Sequence, residues 1–214
     1  MRAVLRLTRR AVVYELKMYR SLFRWLTRRR PGPSGSIRFA YVGAVAFVIW
    51  AFIILSAVEF VGFHLIIPWE TVRLAVDVLS LWGLVWMLGY FAGLKVHPHL
   101  VTDIGLRVRN GVGVDIEIPW VAIAEVRERR RSREKSRGVQ LDRDESGTVL
   151  NVVVGGGTNV DIALRSSVLA ALPKGPETVT AVRLYADDPR GLVTHVRGRL
   201  VGMEAESAQP PGRR

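Results

Sequence analysis

The sequence predicts a membrane α-helical hairpin followed by a soluble α+β domain, a small β-barrel or sandwich capped by a C-terminal helix. Three observations carry that expectation. Positions 39–58 and 78–94 contain no charged residue. Beyond residue 95 the apolar positions recur every second residue, the period of a pleated strand. Near the end, Asp187-Asp188-Pro189 stands before an apolar stripe of Leu192, Val193, Val196 and Leu200, the pattern of a capped amphipathic helix.

The 214 residues suffice for one ordinary domain beside a membrane segment. The net charge of +12 is almost wholly arginine, since lysine occurs only at Lys17, Lys95, Lys135 and Lys174. A balance this basic suits anionic lipid headgroups or nucleic acid, and the apolar spans make lipid the more economical partner. The absence of cysteine excludes disulfides, thiolate metal sites and thiol catalysis.

Residues 1–30 form the first element, a basic amphipathic helix. Leu5, Val12, Tyr19 and Leu26, with Leu16 and Phe23 between them, draw one apolar stripe. Arg9, Arg10, Arg28, Arg29 and Arg30 belong to the cationic remainder. Such a helix either lies among headgroups, each arginine contributing about 1 kcal/mol toward anionic lipid, or docks its stripe on protein. Residues 31–38 follow as a Pro/Gly/Ser hinge, and Pro31-Gly32-Pro33 argues against a twin-arginine signal after Arg28-Arg29-Arg30.

The first membrane helix is expected over 39–67 and the second over 72–94, joined by a turn at Pro68-Trp69. The uncharged run from Phe39 to Val58 spans about 30 Å as a helix, the thickness of a hydrocarbon core. Trp69, Tyr41 and Tyr90 fall where interfacial aromatics belong. Residues 1–38 hold eleven Lys/Arg and one acid, whereas the turn offers only Arg73 against Glu70. The positive-inside rule therefore places both termini in the cytoplasm, as a multi-pass protein of the plasma membrane.

The third segment is 95–201. Leu106-Val108 and Val112-Val114-Ile116-Ile118 alternate about an Asn110-Gly111 turn. Ile123–Val126 reads as a short strand. Arg127–Arg137 carries seven basic residues, Arg129, Arg130, Arg131 and Arg133 among them, and reads as a mobile charged loop or a poorly ordered hairpin tip. Val149–Val154 and Asn159–Leu164 flank Gly155-Gly156-Gly157-Thr158 as a hairpin, and Thr178–Tyr185 adds a strand. Residues 202–214 read as a disordered tail.

Thr102–Val108, containing Gly105 and Leu106, followed by Ile118-Pro119-Trp120 with Ile123 three residues on, resembles the opening of bacterial pleckstrin-homology-like domains. The resemblance covers about 95–201. It implies a PH-like fold, often fused to paired membrane helices, with a binding or assembly role and no catalytic residues.

Few residues suggest chemistry. Glu59 and Asp77 each lie nine positions from Pro68, so a hairpin brings them to similar depth, and Arg73 lies one turn before Asp77. An ionised group within lipid costs roughly 2.5–3.5 kcal/mol on insertion scales, so this cluster points either to a relay or to an ion-paired hairpin register. His97-Pro98-His99 lacks further ligands for a metal and reads as a turn. Gly155-Gly156-Gly157 lacks the lysine and following helix of a phosphate loop. No nucleophile elbow, carboxylate cleft, metal signature or cofactor motif is present, so an enzyme is not expected.

The expectation is thus a non-catalytic, membrane-anchored adaptor that presents its cytoplasmic domain to a protein partner or to anionic lipid, with homo-oligomerisation open. The alternatives are an accessory subunit of a transport assembly using Glu59, Arg73 and Asp77, and a membrane tether for nucleic acid. The last is disfavoured because no stacking aromatics interleave the basic run.

Overall fold

The computed structural model describes residues 2–29, 32–33, 35–132, 138–144, 147–173 and 175–208, with side chains from Thr8 onward except at 144 and 206–208. The chain divides into two units, one formed by Met1–Pro31 with Val42–His97 and the other by Gly32–Tyr41 with Pro98–Arg214.

The first unit is helical. α1 (Arg2–Leu26) ends where Arg28 takes a left-handed conformation, φ 54°. There the Arg29 N–H donates to the Arg24 carbonyl and the Arg28 N–H to that of Trp25, the pattern of a Schellman cap. α2 (Gly43–Ile66) and α3 (Glu70–Val96) are long and apolar enough to cross a membrane. Both pack together as a hairpin, and α1 packs on α3. Ile53 is the one buried residue of α2, so nearly every large side chain on that helix faces outward. A surface of this kind is soluble in hydrocarbon and not in water. The turn holds only Ile67, Pro68 and Trp69, because proline has no N–H with which to continue α2.

The second unit is a sandwich of two sheets that do not close into a barrel. One sheet has the order β1 (Ile37–Phe39), β2 (His99–Val101), β3 (Gly105–Asn110) and β4 (Val114–Pro119), all antiparallel. The other consists of β5 (Ile123–Ser132), β6 (Val139–Asp144), β7 (Gly147–Val152), β8 (Gly157–Leu172) and β9 (Gly175–Leu184), in the order β5-β8-β9-β7-β6. Val114, Ile116 and Ile118 turn inward while Asp115, Glu117 and Pro119 turn outward, so the alternation in the sequence becomes the core face of the first sheet. They meet Leu150, Val160, Ile162, Val182 and Leu184 of the second sheet in one core. α4 (Pro189–Ala208) adds Leu192, Val193 and Val196. Its start is the expected cap, with the Gly191 N–H donating to Asp188 Oδ1 at 2.9 Å.

Several expectations require correction. Ile37–Phe39 is a strand of the sandwich, so the first apolar helix begins at Gly43, not at Phe39, and the domain is not confined to 95–201. Arg127–Ser132, read as part of a mobile loop or hairpin tip, is an ordered continuation of β5. The Gly155-Gly156 turn, with φ 59° and 79°, closes only a single bridge between Val154 and Gly157. β7 and β8 then part, and β9 runs between them, parallel to β7 and antiparallel to β8. The tail expected from 202 is helical to Ala208, because Leu200 and Met203 still pack on the core. Its last residues, 209–214, lie outside the described residues.

Candidate functional site

Two places gather the residues that the sequence singled out. The first is the hairpin. Asp77 lies seven residues into α3 and Glu59 seven from the end of α2, each about 10 Å along its helix from the turn. Asp77 Oδ2 pairs with His64 Nδ1 at 2.8 Å, and its other oxygen is buried without a hydrogen-bond partner. Among the described residues, no ion pair joins Arg73 to Asp77 or to Glu59. The expected three-residue cluster is therefore replaced by a His64–Asp77 tie between the helices. His64 gave a signal that was missed, an imidazole in the last turn of an otherwise apolar run. Glu59 is exposed and borders a groove of about 350 Å³ with Ser56, Phe63, Ser80, Trp82 and Met87.

Higher in the same unit, aromatic contacts hold the helices. Trp25 of α1 and Trp50 of α2 both meet Phe91 of α3 edge-on, at 5.8 and 5.3 Å between ring centroids. Trp82 Nε1–H donates to the Tyr19 hydroxyl at 3.1 Å. Arg9, Arg10, Arg28 and Arg29 of the N-terminal basic set are exposed, and Arg30 lies outside the described residues.

The second place is the β5 edge of the sandwich. Between Glu128 and Arg131 the pairing with β8 slips, three steps on β5 facing two on β8. This bulge leaves Arg129 and Arg130 unpaired with the ladder and exposed. Arg131 is different: its Nε and Nη2 both donate to Asp161 Oδ2, at 3.1 and 3.0 Å, so it holds β5 to β8. Arg133 falls outside the described residues. Beside the bulge, β5 and α4 flank an open polar groove of about 500 Å³ lined by Arg127, Glu128, Arg190, Val193, Thr194 and Arg197. Arg197 is fixed by two hydrogen bonds from its guanidinium to the Val126 carbonyl. Arg127 pairs with Glu125, whose hydrogen bond raises its pKa above the ordinary arginine value. An edge strand studded with cations resists indiscriminate strand addition while offering a surface for acidic groups.

The motif residues serve the fold. Leu106, Ile118 and Trp120 are core residues, and the Trp120 indole N–H donates to the Thr102 and Asp103 carbonyls at 3.2 and 3.1 Å. A Cβ at Gly105 would run into the Ile118 carbonyl oxygen, so only glycine lets β3 and β4 approach there. His99 is fully buried, its Nε2–H donating to the Tyr185 carbonyl and its Nδ1 accepting the Arg109 N–H. Burial drives its pKa down to about 4, the Arg109 charge adding to that effect and the Tyr185 bond opposing it.

A comparison with known proteins found no matching family model, no matching curated protein and no matching solved structure.

Proposed function

We propose that the chain is a non-catalytic, membrane-anchored adaptor whose sandwich stands in the cytoplasm and recruits a protein partner through the cationic β5 edge. The observation that carries this reading is the pairing of β1 with β2, Ile37 opposite Val101 and Phe39 opposite His99. β1 ends four residues before α2, and β2 begins three residues after α3. Strands so paired lie on one side of any membrane, which supports a hairpin of α2 and α3 that crosses it out and back. The basic flank before α2 supports the cytoplasm as that side. Two packed sheets with a C-terminal helix on their core support a PH-like reading of the domain, and the open edge with Arg129 and Arg130 supports binding of an acidic surface.

The reading is tested by crosslinking in native membranes, comparing the parent chain with the Arg129→Glu, Arg130→Glu double variant. A protein adduct that recurs for the parent and vanishes for the variant supports it. The same adducts for both chains, or none for either, oppose it. A second reading, an accessory transport subunit, draws on the buried, unpartnered Asp77 oxygen. It requires Asp77→Asn to abolish ion movement while the adaptor's adduct persists.

A further inference from the structure

α1 presents three faces, found by stepping about 100° per residue. Met18, Ser21 and Trp25 share one side; Val12, Leu16, Tyr19, Phe23 and Leu26 share a second; Arg9, Lys17, Arg20 and Arg24 share the third. The face seated on α3 is the first. Met18 and Ser21 are 0% and 1% exposed, Met18 lies against Gly89, and Trp25 meets Phe91. The apolar stripe is left uncovered, with Val12, Leu16, Phe23 and Leu26 at 50%, 63%, 61% and 68% exposure. α1 therefore docks through one face and keeps a second, more apolar face for another occupant.

Two features identify that occupant. Tyr19, at the margin of the stripe, accepts the Trp82 indole N–H, and around Trp82 the α3 side chains Val78, Leu79 and Leu81 are themselves exposed. The stripe is thus continuous with the apolar surface of α3. On its other margin stands the basic row. Acyl chains satisfy a stripe that continues a membrane-spanning surface, and phosphates satisfy guanidinium groups whose stems lie along it. A protein groove would have to match both the stripe and the adjoining hairpin surface.

We propose that α1 is embedded at the inner leaflet boundary beside α3, with Val12, Leu16, Phe23 and Leu26 in acyl chains and Arg9, Arg20 and Arg24 on anionic lipid phosphates. The proposal rests on the reading that α2 and α3 cross a bilayer. The cysteine-free sequence allows single nitroxide labels on the full-length chain at Leu16→Cys, Phe23→Cys, Arg20→Cys and, as a reference on α2, Phe47→Cys. The chain is placed in nanodiscs of phosphatidylcholine with phosphatidylglycerol, and collisions with oxygen and with a water-soluble nickel chelate are compared. Labels at 16 and 23 are expected to match the reference in favouring oxygen, while that at 20 favours the chelate. In phosphatidylcholine alone, chelate access at 16 is expected to rise several-fold; an unchanged value overturns the role given to the arginines. If 16 and 23 read as aqueous while 47 reads as lipid, the stripe faces water and the proposal fails by itself. If 16 and 23 are shielded from both reagents, a protein covers the stripe, a second copy included, and the proposal fails likewise. An aqueous reference at 47 overturns the transmembrane reading together with this one.

Discussion

A neutral imidazole sealed into the sandwich gives this protein a pH dependence that belongs to a single residue. His99 has both ring nitrogens committed, and Tyr41 packs over it at 4.8 Å between ring centroids. Unfolded, the ring takes up a proton near pH 6.5; folded, it resists protonation down to about 4. Its contribution to stability is therefore complete above pH 6.5 and is lost as the pH falls toward 4, by about 3 kcal/mol at most. Melting followed by circular dichroism between those values should show a slope for the parent chain and a shallower one for His99→Gln. Gly105 makes a second prediction at this scale. Gly105→Ala forces β3 from β4 against the Ile118 carbonyl, and the resulting overpacking should cost about 1–3 kcal/mol in denaturant unfolding. The sequence marked Gly105 as part of a motif, but the reason, a backbone opposite it, belongs to a partner strand that the sequence does not name.

Among elements, legibility followed the solvent each one faces. α2 and α3 were readable because each is a long helix with apolar residues on nearly every side, and α4 because its cap and its stripe agree. β5 was misread because its outer half projects charge: beyond Val126 none of its residues to Ser132 is apolar. The strand is held there by the β8 ladder and by the Arg131–Asp161 pair. β1 was hidden because three residues leave too short a pattern and Phe39 merges with the apolar run that follows. α1 was half legible, its stripe correctly drawn but its docking face set by a glycine sixty residues and more away. That glycine is testable. A side chain at Gly89 meets Met18, so Gly89→Leu should lift α1 from α3, read as loss of Trp25–Phe91 proximity in a disulfide trap built at those two positions. Arg129→Glu with Arg130→Glu should by contrast leave the unfolding midpoint within about 0.5 kcal/mol of the parent, since both residues are exposed on the bulge.

The whole molecule is organised by one three-residue strand. Phe39 and Tyr41 are buried in the sandwich, Tyr41 accepting the Gly111 N–H at 2.7 Å, and the Ala40 carbonyl accepts the Asp187 N–H. A fragment beginning at Pro98 lacks all of this. Loss of two buried aromatic side chains alone removes about 3–6 kcal/mol, so such a fragment should melt early or aggregate. Joining residues 37–41 to 98–208 by a flexible linker should restore a cooperative transition. The comparison of the two soluble proteins by circular dichroism checks whether the domain begins before the apolar helices or after them.

That division also orders the protein's birth. A ribosome delivers Ile37–Tyr41 first, then some fifty residues that make the two long apolar helices, and only then the partners that the early strand awaits. Until both hydrophobic segments have been synthesised, the strand lacks its partner β2. Completion of the sandwich thus waits on synthesis of the whole helical hairpin, and a chain whose hairpin is misplaced should display an incomplete sheet edge to the cell's quality-control proteases.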